Sequence, residues 1–252
     1  MPRHPRPYLD HPGLLAFAHR GGALDAPENT MKAFAAALAA GYRYLETDVH
    51  ATSDGVAVAF HDDTLDRVAD RPGRISAMTW LELRAARVAG EPIPGLDELL
   101  GAWPQARLNL DPKTDAAASL LGDVIARHDA WDRVCVGSFS GTRLARLRRR
   151  LGPRLTTSMG PLEVTRLKLA SLGLPAGGFA AACVQIPLRE YGIALATPEL
   201  IAAAHAHGLQ VHVWTIDEEA EMERLIDLGV DGLMTDRPLL LKRVLERRGL
   251  WA

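Results

Sequence analysis

Short apolar runs alternate along the chain with segments in which alanine and leucine recur at helical spacing. An apolar run of about four to eight residues predicts a strand buried on both faces, as in a parallel sheet. Apolar residues spaced three or four apart predict a helix that covers such a sheet. These patterns predict strands at 14–18, 42–49, 107–110, 133–136, 154–157, 182–186, 210–214 and 232–235, and helices at 30–40, 115–128, 141–150, 198–207, 217–228 and 237–247.

Eight alternations of strand and helix in 252 residues indicate a (β/α)8 TIM barrel, formed by a single domain over 1–252. The second and third strands are separated by an unusually long segment, 50–106. Connections of that length are typically functional. The apolar run 56–60 predicts a hairpin that carries His61, and the polar stretch that follows predicts a small insertion over the barrel mouth, at about 50–93.

The composition agrees with one large domain, since 48% of the residues are hydrophobic and 24% are charged. A net charge of −2 argues against a nucleic-acid partner or an anionic membrane surface. The arginine-rich stretch 143–151 carries Leu144, Leu147 and Leu151 at helical spacing, which is typical of a solvated helix face.

Both cysteines, Cys135 and Cys183, lie inside apolar runs. We therefore expect buried thiols rather than a disulfide, as in a reducing compartment. The stretch 1–14 has no apolar core typical of a secretion signal, and no run of eighteen apolar residues occurs. A cytoplasmic protein with no stable membrane anchor is the expectation, and the pattern leaves the oligomeric state open.

Candidate chemistry lies at the predicted strand ends. His19 and Arg20 follow the first strand, Glu46 and Asp48 lie on the second, and His61 follows the hairpin. Two histidines that titrate near neutral pH can serve as a base and an acid, and an arginine fork fits phosphate oxygens. Residues two apart on a strand share a face, so both carboxylates point the same way. Oxygen ligands favour Mg²⁺, Ca²⁺ or Mn²⁺ over zinc.

The order of these motifs resembles that of the glycerophosphodiester phosphodiesterases, a family of metal-dependent TIM barrels. The resemblance runs through nearly the whole chain. Its motifs are His19-Arg20-Gly21, Pro27-Glu28-Asn29-Thr30, Glu46-x-Asp48, Asp54-Gly55 with His61-Asp62, Ile93-Pro94, Ser138-Phe139, Val213-Trp214-Thr215, Gly229-Val230-Asp231-Gly232 and Thr235-Asp236-x-Pro238.

The resemblance implies a role for each matching residue. His19 and His61 match the general base and acid, Arg20 matches the arginine that contacts the phosphate, and Glu46 and Asp48 match metal ligands. The implied cofactor is a divalent cation, Mg²⁺ or Ca²⁺, with Mn²⁺ as a further candidate. The implied partner is a small glycerophosphodiester.

The third strand departs from the family pattern, which places Glu-x-Lys at its end. Here the chain reads Asp111-Pro112-Lys113, so the carboxylate is shorter by one carbon–carbon bond, about 1.5 Å. That exceeds the tolerance of about 0.2 Å on a metal–ligand distance. We expect Asp111 to remain a metal ligand and Lys113 to contact the phosphate. The shorter carboxylate then requires an inward shift of the backbone at Pro112, a water that bridges Asp111 to the metal, or a preference for a different cation.

Three further positions have two interpretations each. Glu28 matches a glutamate of the family motif, which implies a position in or next to the substrate pocket. Its alternative is an acidic residue that stabilises the start of the helix at 30. For Trp214 the resemblance implies an aromatic ring beside the substrate, and the alternative is packing in the core. His50 shares the strand face of the carboxylates, so a fourth metal ligand is one interpretation. A hard oxygen site gains little from imidazole, and we therefore expect a structural or loop-capping role beyond the strand end.

The predicted activity is metal-dependent hydrolysis of compounds such as glycerophosphocholine or glycerophosphoethanolamine to sn-glycerol 3-phosphate and an alcohol. The sequence leaves open whether the glycerol 2-hydroxyl attacks first, to form a cyclic phosphate, or water attacks directly. One alternative is a lysophospholipase D-type lipid phosphodiesterase, which needs an apolar groove near Trp80 and Leu81. The other is a non-catalytic barrel that binds phosphodiesters, in which the change at Asp111 disables the metal site.

Overall fold

A computed structural model of the chain describes residues 6–251, so residues 1–5 and 252, which the single-domain and amino-terminal predictions include, lie outside the described residues. The barrel strands are β1 Leu15–Ala18, β2 Tyr44–Ala51, β3 Arg107–Pro112, β4 Val134–Val136, β5 Thr156–Thr157, β6 Cys183–Pro187, β7 Gln210–Trp214 and β8 Gly232–Thr235. These eight parallel strands lie side by side in the order β5-β4-β3-β2-β1-β8-β7-β6.

The sheet closes on itself between β5 and β6. Ser158 and Cys183 form a parallel bridge there, and the Met159 amide donates to the Cys183 carbonyl at 3.0 Å. Arg148 braces this shortest strand, donating to Thr157 Oγ1 at 2.8 Å and to the Ser158 carbonyl at 3.0 Å. The predicted (β/α)8 barrel is therefore confirmed.

Helices connect the strands and cover the outside of the barrel. Hydroxyl side chains cap five of the described helices, as where Thr30 Oγ1 accepts from the Ala33 amide at 3.1 Å. The α-helices of the described residues are α1 Met31–Ala39, α2 Trp80–Arg84, α3 Leu96–Ala102, α4 Asp115–Arg127, α5 Gly141–Leu151, α6 Pro161–Ala170, α7 Pro198–Ala206, α8 Glu219–Asp227 and α9 Pro238–Arg247. Each of the six predicted helices is present with its ends within two residues.

The amino-terminal end of the barrel is closed by a short 3-10 turn, Pro7–Leu9, whose Tyr8 and Leu9 are buried. The Tyr44 hydroxyl donates to the Tyr8 carbonyl at 2.8 Å and so fixes the turn inside the barrel. The thiols of Cys135 and Cys183 are buried beside it, with 3.9 Å between the Sγ atoms and no disulfide between them. This end of the interior is apolar, and the polar groups lie towards the opposite end.

The insertion after β2 is built on a hairpin. Strand Ala57–Ala59 pairs antiparallel with the end of β2, with Ala59 opposite Val49. This pairing extends β2 to Ala51, so His50 lies within the strand, and the expectation that it lies beyond the strand end was wrong. The hairpin and the rest of the insertion share a small core of Val58, Phe60, Leu65, Ile75, Leu83, Ala86, Val88 and Ile93.

Two short antiparallel pairs complete the described structure. Arg87–Val88 pairs with Glu91–Pro92 in the insertion, and Arg189–Glu190 pairs with Ile193–Ala194 after β6. None of the helices within 6–251 has the length and apolar character needed to cross a membrane.

Candidate active site

The carboxyl ends of the barrel strands place most of the predicted chemistry at one mouth. In a (β/α)8 barrel the loops that leave these ends surround a common space. His19 follows β1, Glu46 and Asp48 lie on β2, Asp111 and Lys113 lie at the end of β3, and His61 leaves the hairpin that pairs with β2.

His19 lies between two carboxylates. Its Nδ1 is 2.7 Å from Asp236 Oδ1, and its Nε2 is 3.6 Å from Glu46 Oε2. Burial alone lowers the pKa of His19, but the charge of Glu46 and the hydrogen bond to Asp236 outweigh it, so the pKa is raised. Because a carboxylate only accepts hydrogen bonds, the Nδ1 proton points to Asp236 and Nε2 faces the mouth.

The buried carboxylates of β2 and β3 lie side by side. Asp48 and Asp111 are opposite each other in the register of the two strands, and Glu46 lies two residues earlier on β2. Burial raises the pKa of Glu46 to about 7, although His19 opposes the shift. Burial also raises the pKa of Asp111, against the effect of the nearby Lys113 ammonium. The site therefore favours a positive charge between these groups.

Lys113 supplies one such charge. Its Nζ is 2.6 Å from Asp48 Oδ1 and 2.8 Å from Asp111 Oδ2. The ammonium loses solvation by burial, but the two carboxylates raise the pKa of Lys113 overall. The residue predicted to contact phosphate thus bridges two predicted metal ligands.

The donor set fits a hard divalent cation. Glu46, Asp48 and Asp111 offer carboxylate oxygens, and Asp48 Oδ2 is buried with no hydrogen-bond partner in the described part of the chain. Such oxygens are the ligands that Mg²⁺ and Ca²⁺ prefer. With the side chains as they lie, no three His, Cys, Asp or Glu residues between 6 and 251 are grouped at metal-binding spacing. The Lys113 ammonium lies between two of the three carboxylates.

Arg20 is held at the mouth by a strained turn. Its φ of 51° is in the left-handed region. Its amide donates to Glu46 Oε2 at 3.2 Å, and its Nε lies 3.6 Å from Asp48 Oδ2. Gly21 follows at φ 83°, and a Cβ there would lie 2.7 Å from the Ala33 Cβ. Only glycine fits the turn that presents Arg20 to the carboxylates.

A chain of ion pairs links Arg20 to His61. Arg20 Nη1 donates to Glu28 Oε1 at 3.1 Å, and Arg67 donates to both Glu28 oxygens at 2.7 and 2.8 Å. Arg67 Nε also donates to Asp62 Oδ2 at 2.6 Å, and Asp62 Oδ1 lies 2.5 Å from His61 Nδ1. Burial opposes ionisation of Glu28, but the bonds from Arg67 and Arg20 keep its pKa below its usual value.

His50 and Trp214 have different surroundings. His50 is buried, and its Nε2 lies 3.0 Å from the His61 carbonyl, so it supports the loop that carries His61. Burial lowers the pKa of His50. Trp214 ends β7, and its ring meets the edge of Phe139 with the centroids 5.9 Å apart. Phe139 itself is 64% exposed, so the pair forms an aromatic wall open to the solvent.

Asp62, Asp236 and Arg67 belong to this arrangement and were not predicted as site residues. Asp62 follows His61 in the chain and appeared only as part of the His61-Asp62 motif. Asp236 follows β8, and its amide donates to Asp217 Oδ1 at 2.8 Å, which fixes the turn beside His19. It lies in one of the motifs behind the resemblance, so a signal was present without a role attached. Arg67 lies in the polar insertion, where no sequence pattern distinguishes it from its neighbours.

The chain is similar to known sequences and to solved structures over most of its length. A family model described as "Glycerophosphoryl diester phosphodiesterase family" matches residues 19–240. A Mycobacterium tuberculosis protein named probable glycerophosphodiester phosphodiesterase 2 is 42% identical over 255 residues, which cover 97% of this chain and 95% of the relative. A lysophospholipase D of Rattus norvegicus is 28% identical, covering 90% of this chain and 85% of the relative.

The fold also has a close counterpart among solved structures. The crystal structure of a putative glycerophosphoryl diester phosphodiesterase from Silicibacter pomeroyi matches with a TM-score of 0.81 at 29% sequence identity. The match covers 96% of this chain and 97% of that chain.

Proposed function

Because the chain belongs to the glycerophosphoryl diester phosphodiesterase family and is a glycerophosphodiester phosphodiesterase, we propose that it cleaves small glycerophosphodiesters such as glycerophosphocholine to sn-glycerol 3-phosphate and an alcohol. The predicted family resemblance is confirmed. The family match supports the substrate class, and the observation that carries the mechanism is the pairing of each histidine with its own carboxylate. His19 Nδ1 faces Asp236 and His61 Nδ1 faces Asp62, which leaves each Nε2 for proton transfer.

In this mechanism one histidine takes the proton of the attacking hydroxyl and the other protonates the departing alcohol. The attacking group is either the glycerol 2-hydroxyl or water, and the same two residues serve both routes. Arg20 and Lys113 supply the positive charge that binds the phosphate oxygens. A barrel that only bound phosphodiesters would not require two histidines, each oriented by a carboxylate, at the same mouth.

Glu46, Asp48 and Asp111 would hold the divalent cation. When bound, Mg²⁺ or Ca²⁺ supplies charge that offsets the negative charge developing on phosphate oxygens and lowers the pKa of a bound hydroxyl. Lys113 moves from the carboxylates to the phosphate in this proposal, since it otherwise lies between Asp48 and Asp111. The Lys113 side chain is 25% exposed, so it is not enclosed on all sides.

The test measures release of sn-glycerol 3-phosphate from glycerophosphocholine and glycerophosphoethanolamine. Protein stripped of metal with a chelator is assayed alone and after Mg²⁺, Ca²⁺ or Mn²⁺ is restored separately. We expect turnover only with a cation, and loss of at least about 100-fold in His19→Ala, within the range that acid–base groups contribute.

The matched control is His205→Ala. His205 also pairs with an aspartate, since its Nε2 lies 2.8 Å from Asp231 Oδ2, but it lies at the end of α7 away from the mouth. Its removal is expected to leave turnover unchanged. No turnover with any cation would refute the proposed substrate, and full activity in His19→Ala would refute the mechanism.

A second candidate activity, that of a lysophospholipase D, is favoured by exposed apolar side chains around the mouth. Leu81 in the insertion is 82% exposed, Tyr191 in the hairpin after β6 is 95% exposed, and Phe139 stands beside Trp214. All three follow carboxyl ends of barrel strands, where an acyl chain leaving the site would pass. Trp80, named with Leu81 in the sequence prediction, packs instead against the small core of the insertion.

Activity on lysophosphatidylcholine tests this candidate against glycerophosphocholine. Tyr191→Ser is expected to lower turnover of the lipid alone, by about tenfold, if the side chain contacts acyl groups. The control is Leu174→Ser, since Leu174 is exposed in the loop after α6 at the opposite end of the barrel. Equal effects on both substrates, or no activity on the lipid, would leave the glycerophosphodiesters as the substrates.

A further inference from the structure

Arg67 forms ion pairs with both Glu28 and Asp62. Glu28 also pairs with Arg20, and Asp62 also pairs with His61. Among the described residues, only Arg67 joins these two pairs. It belongs to the insertion, 39 residues from Glu28 and five from Asp62. Two loops that are distant in sequence are therefore joined at the mouth by one side chain. Neither the family resemblance nor the sequence pattern assigned it a role.

Its contacts use the whole fork of the guanidinium. Nη1 and Nη2 donate to the two oxygens of Glu28, while Nε donates to Asp62 Oδ2 and Nη2 also reaches Asp62 Oδ1 at 3.4 Å. A planar fork that donates to both oxygens of two carboxylates has little freedom left. Lysine, with a single point charge, cannot reproduce this geometry.

Asp62 connects Arg67 to His61, so the position of Arg67 affects the orientation of the His61 ring. Asp62 Oδ1 lies 2.5 Å from His61 Nδ1, while the shorter bond from Arg67, that of Nε at 2.6 Å, goes to Oδ2. Burial opposes ionisation of Asp62, but Arg67 and His61 lower its pKa, so it remains an acceptor for the Nδ1 proton. The His61 side chain is 35% exposed, so its bond to Asp62 contributes to holding the ring in one orientation.

We propose that Arg67 is a positioning residue, which holds Asp62 and Glu28 so that His61 presents Nε2, and Arg20 presents its guanidinium, to the same phosphodiester. Arg67 itself does not touch the substrate. The inference rests on the proposed function for its kinetic consequence. Its structural consequence, a single orientation and tautomer of the His61 ring, can be measured without any substrate.

The kinetic test compares Arg67→Ala with Arg71→Ala. Arg71 is an exposed arginine of the same insertion that pairs only with its neighbour Asp70 among the described contacts. We expect Arg67→Ala to lose about 10- to 100-fold in kcat with a smaller change in KM, as for other displaced catalytic groups. Because the Arg67 side chain is 46% exposed, added guanidinium ion is expected to enter the gap and restore part of kcat. Arg67→Lys is expected to restore less.

The spectroscopic test follows the ring nitrogens of His61 by ¹⁵N NMR in metal-free protein. The wild type and Arg71→Ala are expected to show one tautomer with the proton on Nδ1, and Arg67→Ala a mixture of tautomers. An unchanged His61 signal together with unchanged kcat would overturn the proposal, as would a loss confined to KM that guanidinium does not restore. An inactive wild type would refute the proposed function, while the His61 signal would still decide the role of Arg67.

Discussion

The Asp236→Asn variant tests how much the negative charge of Asp236 contributes to the pKa of His19. The variant keeps the shape of the side chain and an oxygen 2.7 Å from His19 Nδ1, but removes the negative charge. A hydrogen bond to a charged group is worth about 1.5–3 kcal/mol and a neutral one about 0.5–1.5 kcal/mol. The midpoints of these ranges differ by about 1.3 kcal/mol, which corresponds to about one pKa unit. We therefore expect the pKa of His19 to fall by about one unit in Asp236→Asn.

The measurement is an NMR titration of the His19 ring in metal-free protein, with the pH profile of kcat/KM measured in the presence of the cation. The limb of the profile that reports His19 is expected to move to lower pH by a similar amount. Asp231→Asn is the control, because Asp231 pairs with His205 and the Val211 amide outside the mouth. A His19 pKa that is unchanged or higher in Asp236→Asn would refute the reasoning.

The same bond links pH to stability. The pKa of His19 is raised in the folded protein from its usual value of 6.5, despite burial, by Glu46 and Asp236. A raised histidine pKa contributes stability that is fully present below the unfolded value and is lost as the pH rises through the folded value. Urea unfolding should therefore show Asp236→Asn destabilised more at pH 5.5 than at pH 9, by about 1.4 kcal/mol.

Lys113→Met removes the ammonium that lies between the carboxylates of Asp48 and Asp111, where it competes with a cation. Calorimetry should therefore show Mg²⁺ bound at least about tenfold more tightly by the variant. Weaker binding would contradict the bridging role of Lys113. Gly21→Ala should lower the free energy of unfolding, measured with urea, by at least about 2 kcal/mol more than Gly55→Ala. Both glycines have a φ of 83°, so the backbone strain is matched, but of the two only Gly21 has other atoms within 4 Å of an added Cβ. Arg148→Met should lower the free energy of unfolding by about 3 kcal/mol, because it removes the hydrogen bonds to Thr157 and Ser158 at the end of β5. The control is Arg149→Met, at an exposed position, which should change it by less than about 0.5 kcal/mol. Equal losses in the two variants would refute the role of Arg148.

The barrel was predictable because its parallel strands are buried on both faces and read as continuous apolar runs. Leu45 and Val49 face the covering helices, while Tyr44 packs inside the barrel, so β2 shows little alternation at its start. Helix α6 was not predicted, since Leu167 is its one fully buried side chain and Leu162 and Leu169 are exposed. Without an apolar stripe, helical spacing leaves no signal.

The residues of the candidate site that lie on or directly after barrel strands were predictable, whereas the contacts between loops were not. Glu46 and Asp48 share a strand face by alternation, and Asp48 lies opposite Asp111 in the register of β2 and β3. The bond between His19 and Asp236 spans 217 residues, and the bridge from Arg67 to Glu28 spans 39. Contacts of that range depend on how loops pack at the mouth, which no local pattern encodes.

Burial divides the site into two parts that respond differently to change. Glu46 and Asp48 lie on a barrel strand and are almost fully enclosed, so their charges interact strongly and their positions follow from the sheet. His61 and Arg67 lie on the insertion and are partly exposed, so their positions depend on charge-assisted hydrogen bonds rather than on packing. The carboxylate cluster is therefore fixed by the fold, whereas the orientation of the second histidine depends on the ion pairs that attach the insertion to the barrel.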